Sequence, residues 1–82
     1  MDFSDALRAL KTGACIKNER WNGQGMYLAL QVPDQFSKMG TPYIYLCMPD
    51  SHPNYPHVMV PWTPSQLDLM SDGWNIYKPG VE

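Results

Sequence analysis

The sequence is poor in the residues that catalysis, metal binding and nucleic-acid binding draw on. Two histidines, two cysteines and six Lys+Arg are spread through 82 residues, and the formal net charge is −2. The basic residues Arg8, Lys11, Lys17, Arg20, Lys38 and Lys78 are scattered, so the dense cationic surface that DNA or RNA requires is missing. There is no nucleophile elbow and no Gly-rich phosphate loop. Gly23 and Gly25 flank one residue ahead of a strand pattern, whereas a dinucleotide fingerprint runs into a helix. No apolar run approaches the ~20 residues of a membrane helix. The opening MDFSDALRAL has no basic segment of the kind a signal peptide needs. These absences imply a cytoplasmic chain, with Cys15 and Cys47 as reduced thiols.

What is present reads as one small α+β domain over residues 1–82. A chain this short buries roughly 60–65% of the surface it exposes when unfolded, so oligomerisation is a natural supplement to its core. Phe3, Ala6, Leu7 and Leu10 fall at i, i+3, i+4 and i+7, which predicts a helix. Asp2 or Ser4 can cap it and Gly13 can stop it. ACIK (14–17) reads as a short strand. Met26, Leu28, Leu30 and Val32 alternate with Tyr27, Ala29 and Gln31, the period-2 pattern of a half-buried strand. Asn22-Gly23 suits a tight turn between these two strands.

PDQFSKMGTP reads as a loop and YIYLCM (43–48) as a further strand. PDSHPNYPH (49–57), with three prolines, is expected as an exposed excursion before the strand VMV. Thr63 is the expected N-cap of a short helix, with Pro64 at its first position and Gln66 closing a capping box. Trp62 and Leu67 make the matching hydrophobic staple. Asp72-Gly73 then ends this helix and WNIY closes the sheet. The connections leave no room for βαβ crossovers, so the sheet should be antiparallel.

Few residues could carry chemistry. Cys47, His52 and His57 match no familiar zinc spacing, and Pro53 and Pro56 stiffen the segment that holds the histidines. Asp68 and Asp72 share a helical face but have no neighbouring acid, base or metal partner, so a solvated helix surface accounts for them. The chain therefore reads as a non-enzyme without a metal or cofactor. It does hold many rings for its size: Trp21, Tyr27, Tyr43, Tyr45, Trp62 and Trp74. Most belong in a core. Trp21 stands apart, because it precedes a turn between Arg20 and Asn22 and lies outside the alternating run. It can fold back on the core or offer its face to a flat ligand. Gly25, so soon after Gly23, is what a close backbone approach by a ligand or second subunit would require. The helix start at 63–66 is likewise either a capping box that Thr63 and Gln66 satisfy themselves or a modest anion site to which Ser65 adds a hydroxyl.

Four ordered blocks, FSDALRALKTG, RWNGQGMYLAL, PYIYL and VPWTPSQLDLMSDGW, resemble the Thoeris anti-defence sponge family of its second type. These are small phage and prophage domains. The resemblance covers nearly the whole chain, and RWNGQGM with PWTPSQLD…W is its most specific part. It implies a homotetramer, acting in an infected or lysogenic bacterial host cell. Such an assembly sequesters a cyclic ADP-ribose signal of the glycocyclic type without cleaving it and starves the Thoeris effector. Some relatives also hold cyclic oligonucleotides. Carried over by position, it places ligand binding at Arg20, Trp21, Asn22, Gly23, Trp62, Ser65, Gln66 and Asp68, in a pocket expected between subunits. Side-chain chemistry would then have Trp21 stack on adenine and Arg20 pair with phosphate. Asn22, Ser65 or Gln66 would hydrogen-bond ribose or phosphate. SDGW departs from the family, which commonly has an acidic residue before the tryptophan, and CMPDSHPNYPH matches no block. Three alternatives stand beside this reading: a protein–protein inhibitor docking on a host defence enzyme, a sponge for a different cyclic (oligo)nucleotide, and a hydrolase or lyase acting on a cyclic nucleotide.

Overall fold

The first apolar stripe folds as its spacing predicts. In the computed structural model, α1 spans Phe3–Lys11, and the Asp2 side chain caps it by accepting from the Asp5 backbone N–H at 2.9 Å. Ala6 and Leu10 turn fully inward. Gly13, at φ +100°, takes the left-handed conformation that ends the helix. The structure describes residues 1–21, 25–52 and 55–78, with the main chain alone for 49–52 and 55–57.

Five strands follow: β1 (Cys15–Asn18), β2 (Tyr27–Gln31), β3 (Tyr43–His52), β4 (Tyr55–Pro61) and β5 (Trp74–Tyr77). The short α2 (Gln66–Met70) precedes β5. They form one antiparallel sheet in the order β4-β3-β2-β1-β5. The architecture is the expected α+β one: an N-terminal helix, a small antiparallel sheet and a short helix before the last strand. Residues directly opposite in a ladder share a face. The pairs Ile16↔Leu28, Leu28↔Leu46, Leu46↔Val60 and Asn18↔Trp74 therefore define one face, and α1 packs on it. Ala6, Leu10, Ile16, Leu28 and Trp74 are its fully buried centre.

Three expectations need correction. Residues 49–57 are not a separate excursion, because β3 and β4 run on together to the pair His52↔Tyr55, with an irregularity between Pro49 and His52. Proline lacks a ladder donor, which an edge strand or a bulge tolerates. β4 is an edge, and Pro49 lies beyond Cys47, the last β3 residue that β2 reaches.

The second helix starts later than Thr63. Ser65 is its N-cap: the Ser65 hydroxyl accepts from the Asp68 N–H at 3.1 Å, and an Asp68 carboxylate oxygen accepts from the Ser65 N–H at 3.1 Å. Trp62 is still extended, donating its N–H to the Ile44 carbonyl at 3.0 Å, and Pro64 holds Thr63 out of helical geometry. Finally, Leu67 is 69% exposed and does not staple to Trp62. Gly25 is explained locally, since its φ of +76° at the start of β2 favours glycine without any ligand nearby.

Candidate functional site

Trp74 organises the region where the candidate residues meet. It is fully buried, and three rings surround it: Phe3 at 5.5 Å between centroids, Trp21 at 5.4 Å and Trp62 at 5.9 Å. Both tryptophans meet it nearly edge-to-face, at 86° and 87°, an arrangement the ring quadrupoles favour. The indole N–H of Trp74 donates to the Asp68 carbonyl at 3.0 Å, and its backbone N–H donates to the Met1 carbonyl. The last strand thus ties α1, α2 and the turn after β1 to one side chain.

That turn is built by Asn18. Its side-chain oxygen accepts from the Arg20 N–H at 3.0 Å, and its carbonyl accepts from the Trp21 N–H at 3.1 Å. Glu19 meanwhile bonds to the Gly73 carbonyl. The chain therefore leaves the ladder at Asn18, and Trp21 folds back, half-buried, against the core. Of the two orientations open to Trp21, this is the inward one. The Asn18 Nδ2 is buried and has no partner among the described residues.

Arg20, Trp21 and Asp68 converge. One Asp68 carboxylate oxygen accepts from the Trp21 indole N–H at 3.4 Å and from the Arg20 guanidinium at 3.5 Å. Burial would raise the Asp68 pKa, but the Ser65 backbone and hydroxyl hydrogen bonds, the Trp21 indole and the Arg20 charge outweigh it. The carboxyl is held below its usual range. The Asp68 side chain is 15% exposed and that of Arg20 42%. An ion pair this long and this wet adds little stability, and the guanidinium keeps donors for another anion.

Trp62, which touches Trp74 as Trp21 and Asp68 do, also lines a groove of about 880 Å³. Its walls include Phe3, Leu7, Ile44, Tyr43 and Trp62, and among the described residues Lys11 is the one charged residue lining it. The groove exists because α1 packs against β1, β2 and β5, leaving the β3 end of the same face open. Its volume falls within the roughly 300–1,000 Å³ of small-molecule sites.

The expected site residues therefore divide. Arg20, Trp21 and Asp68 are brought together, with Ser65 spent on capping and Gln66 exposed at the start of α2. Of the six that lie among the described residues, Trp62 alone lines the groove. Asn22 and Gly23 lie outside the described residues, as do the side chains of His52 and His57. Lys11 and Tyr43 were not anticipated. Lys11 continues the Phe3–Leu7 stripe at i+8, which is the signal that could have found it. Among the described residues, no three His, Cys, Asp or Glu side chains gather as metal ligands, and no helix is long and apolar enough to cross a membrane.

A family model described as Tad2-like, Thoeris anti-defense 2-like domain, matches residues 1–77. No curated protein matches the chain.

Proposed function

The chain belongs to the Tad2-like family of Thoeris anti-defense 2-like domains, and from that premise we propose that its anti-defence role is exercised by binding. It captures a cyclic ADP-ribose signal of the glycocyclic type and holds it intact, so that the Thoeris effector is not activated. The observation that carries this reading is the ring-walled groove of about 880 Å³, whose Trp62 is linked through Trp74 to the Arg20–Trp21–Asp68 cluster.

A cyclic ADP-ribose joins a flat aromatic base to a diphosphate. The groove supplies Trp62, Phe3 and Tyr43 for the base and Lys11 for negative charge. Arg20, weakly held by Asp68, supplies a guanidinium donor set for phosphate. In this reading Arg20, Trp21, Asn22, Gly23, Trp62, Ser65, Gln66 and Asp68 form the ligand-binding region. Trp21 and Asp68 position Arg20, and Ser65 fixes Asp68. The protein works as a homotetramer whose second copy closes the open side of the groove. Capture alone removes the signal, so no bond need be broken.

Calorimetric titration with the cyclic ADP-ribose product of a TIR enzyme tests this. Submicromolar binding is expected, weakened at least about tenfold by Trp62→Ala, in line with base–ring stacking of about 1–3 kcal/mol. Absence of heat with this ligand, or equal affinity in Trp62→Ala, would contradict it.

A further inference from the structure

The groove has two unlike ends. Phe3 and Trp62 meet at one, with ring centroids 5.7 Å apart. Lys11 stands at the other, further along α1 by about 12 Å at ~1.5 Å per residue. We infer that the groove selects its ligand by a stacked ring and a phosphate, with Lys11 as the specificity-determining residue, and does not read which base the ring is. A hypoxanthine-based signal is then captured as well as an adenine-based one. The inference rests on the capture reading above and goes beyond it in the class of ligand accepted.

Base identity is read by groups whose hydrogen-bonding sense is fixed. Adenine presents an amino donor beside a ring-nitrogen acceptor; hypoxanthine reverses both, with a keto oxygen beside an N–H. Amide and carboxyl side chains or backbone N–H groups tell the two apart. Among the described residues, no Asn, Gln, Asp, Glu or His lines the groove. Thr41 and Tyr43 bring hydroxyls, which donate or accept as the partner requires. The backbone beside the rings is short of donors as well. Pro61 and Pro64 have no N–H, and the Trp62 N–H is already given to the Ile44 carbonyl at 3.0 Å. The Trp62 indole N–H lies in the ring plane, out of reach of a base stacked on the ring face. Stacking itself tolerates any base, since each has a π-face.

Selection falls to the other end. Lys11 makes no ion pair among the described residues, so its ammonium is available to a phosphate. A helix C-terminus ordinarily repels an anion, through carbonyls left without partners. Here the Ala9 carbonyl accepts from the Thr12 hydroxyl at 2.7 Å and from the Thr12 and Ala14 N–H groups at 3.1 Å. The Leu10 carbonyl accepts from the Gly13 N–H at 3.0 Å. With these oxygens satisfied inside the chain, the Lys11 charge sets the sign of the potential at this end.

Calorimetric titration of a cyclic ADP-ribose and of its inosine counterpart tests the inference on wild type, Lys11→Ala and Lys11→Arg. The inosine compound should bind within about threefold of the adenine one, as expected of a site that makes no directional bond to the base edge. Lys11→Ala should weaken both at least about tenfold and flatten the salt dependence, while Lys11→Arg keeps both. Lys11 is exposed, so both variants should melt as wild type does. An inosine compound bound more than about tenfold more weakly than the adenine one overturns the inference and leaves capture standing. Undiminished affinity in Lys11→Ala does the same. If neither compound binds the wild-type chain, the capture reading and this inference fall together.

Discussion

Replacing Trp74 with phenylalanine should cost about 2 kcal/mol of folding stability. Trp74 is fully buried and its indole N–H is spent on the Asp68 carbonyl at 3.0 Å. Phenylalanine removes roughly 40 Å³ and leaves a void between Phe3, Trp21 and Trp62, worth about 1 kcal/mol at ~24 cal/mol per Å³. Losing the hydrogen bond adds about 1 kcal/mol. For a domain of 82 residues, this sum lowers Tm by about 8 to 16 °C. Thermal unfolding followed by circular dichroism, at one fixed protein concentration, would measure it. Trp62→Phe is the control: Trp62 is only half-buried, and its loss should be less than half as large. Equal losses in the two variants, or a Tm drop under about 4 °C for Trp74→Phe, would refute the idea that the domain is assembled around Trp74.

Other consequences follow from individual contacts. Asp68 has a depressed pKa in the folded chain, so its contribution is complete above the ordinary value of 3.8 and is lost as pH falls through the lower folded value. Urea midpoints should fall less steeply with acid in Asp68→Asn than in wild type, whose parallel behaviour would contradict this. Gly13→Ala meets no atom within 4 Å but must hold φ +100°, so it should lose about 1 kcal/mol in urea unfolding. Arg20→Ala should change stability by less than about 0.5 kcal/mol. In calorimetry the same variant should bind the cyclic ADP-ribose at least about tenfold more weakly.

The elements legible in the sequence were those whose pattern is local. The Phe3–Leu10 stripe and the alternation from Met26 to Val32 gave α1 and β2 because periodicity alone fixes which side is buried. The second helix shows where such reasoning fails. Thr63-x-x-Gln66 is the capping box its spacing predicts, but the box that forms is Ser65-x-x-Asp68, because a long-range bond, Trp62 N–H to Ile44, keeps the chain extended. Trp74 was recognisable as a strand residue. Its central place depends on β5 pairing beside β1, which joins residues nearly sixty positions apart. The RWNG block was legible as a site candidate, but whether Trp21 faces in or out depended on the Asn18 turn and on Asp68 arriving from α2. The groove was the least legible feature. Its residues include Lys11, Tyr43 and Trp62 from three separate segments, and the space between them reflects where α1 crosses the sheet.

The most direct test of capture without cleavage is a depletion-and-release assay. Purified protein is mixed with a cyclic ADP-ribose signal, the free fraction is assayed for effector activation, and the protein is then heat-denatured and the released nucleotide identified by mass spectrometry. The account predicts that activation disappears once binding sites exceed ligand, and that the full amount of unaltered nucleotide returns on heating. An undiminished free signal, or a released nucleotide of changed mass, would contradict it.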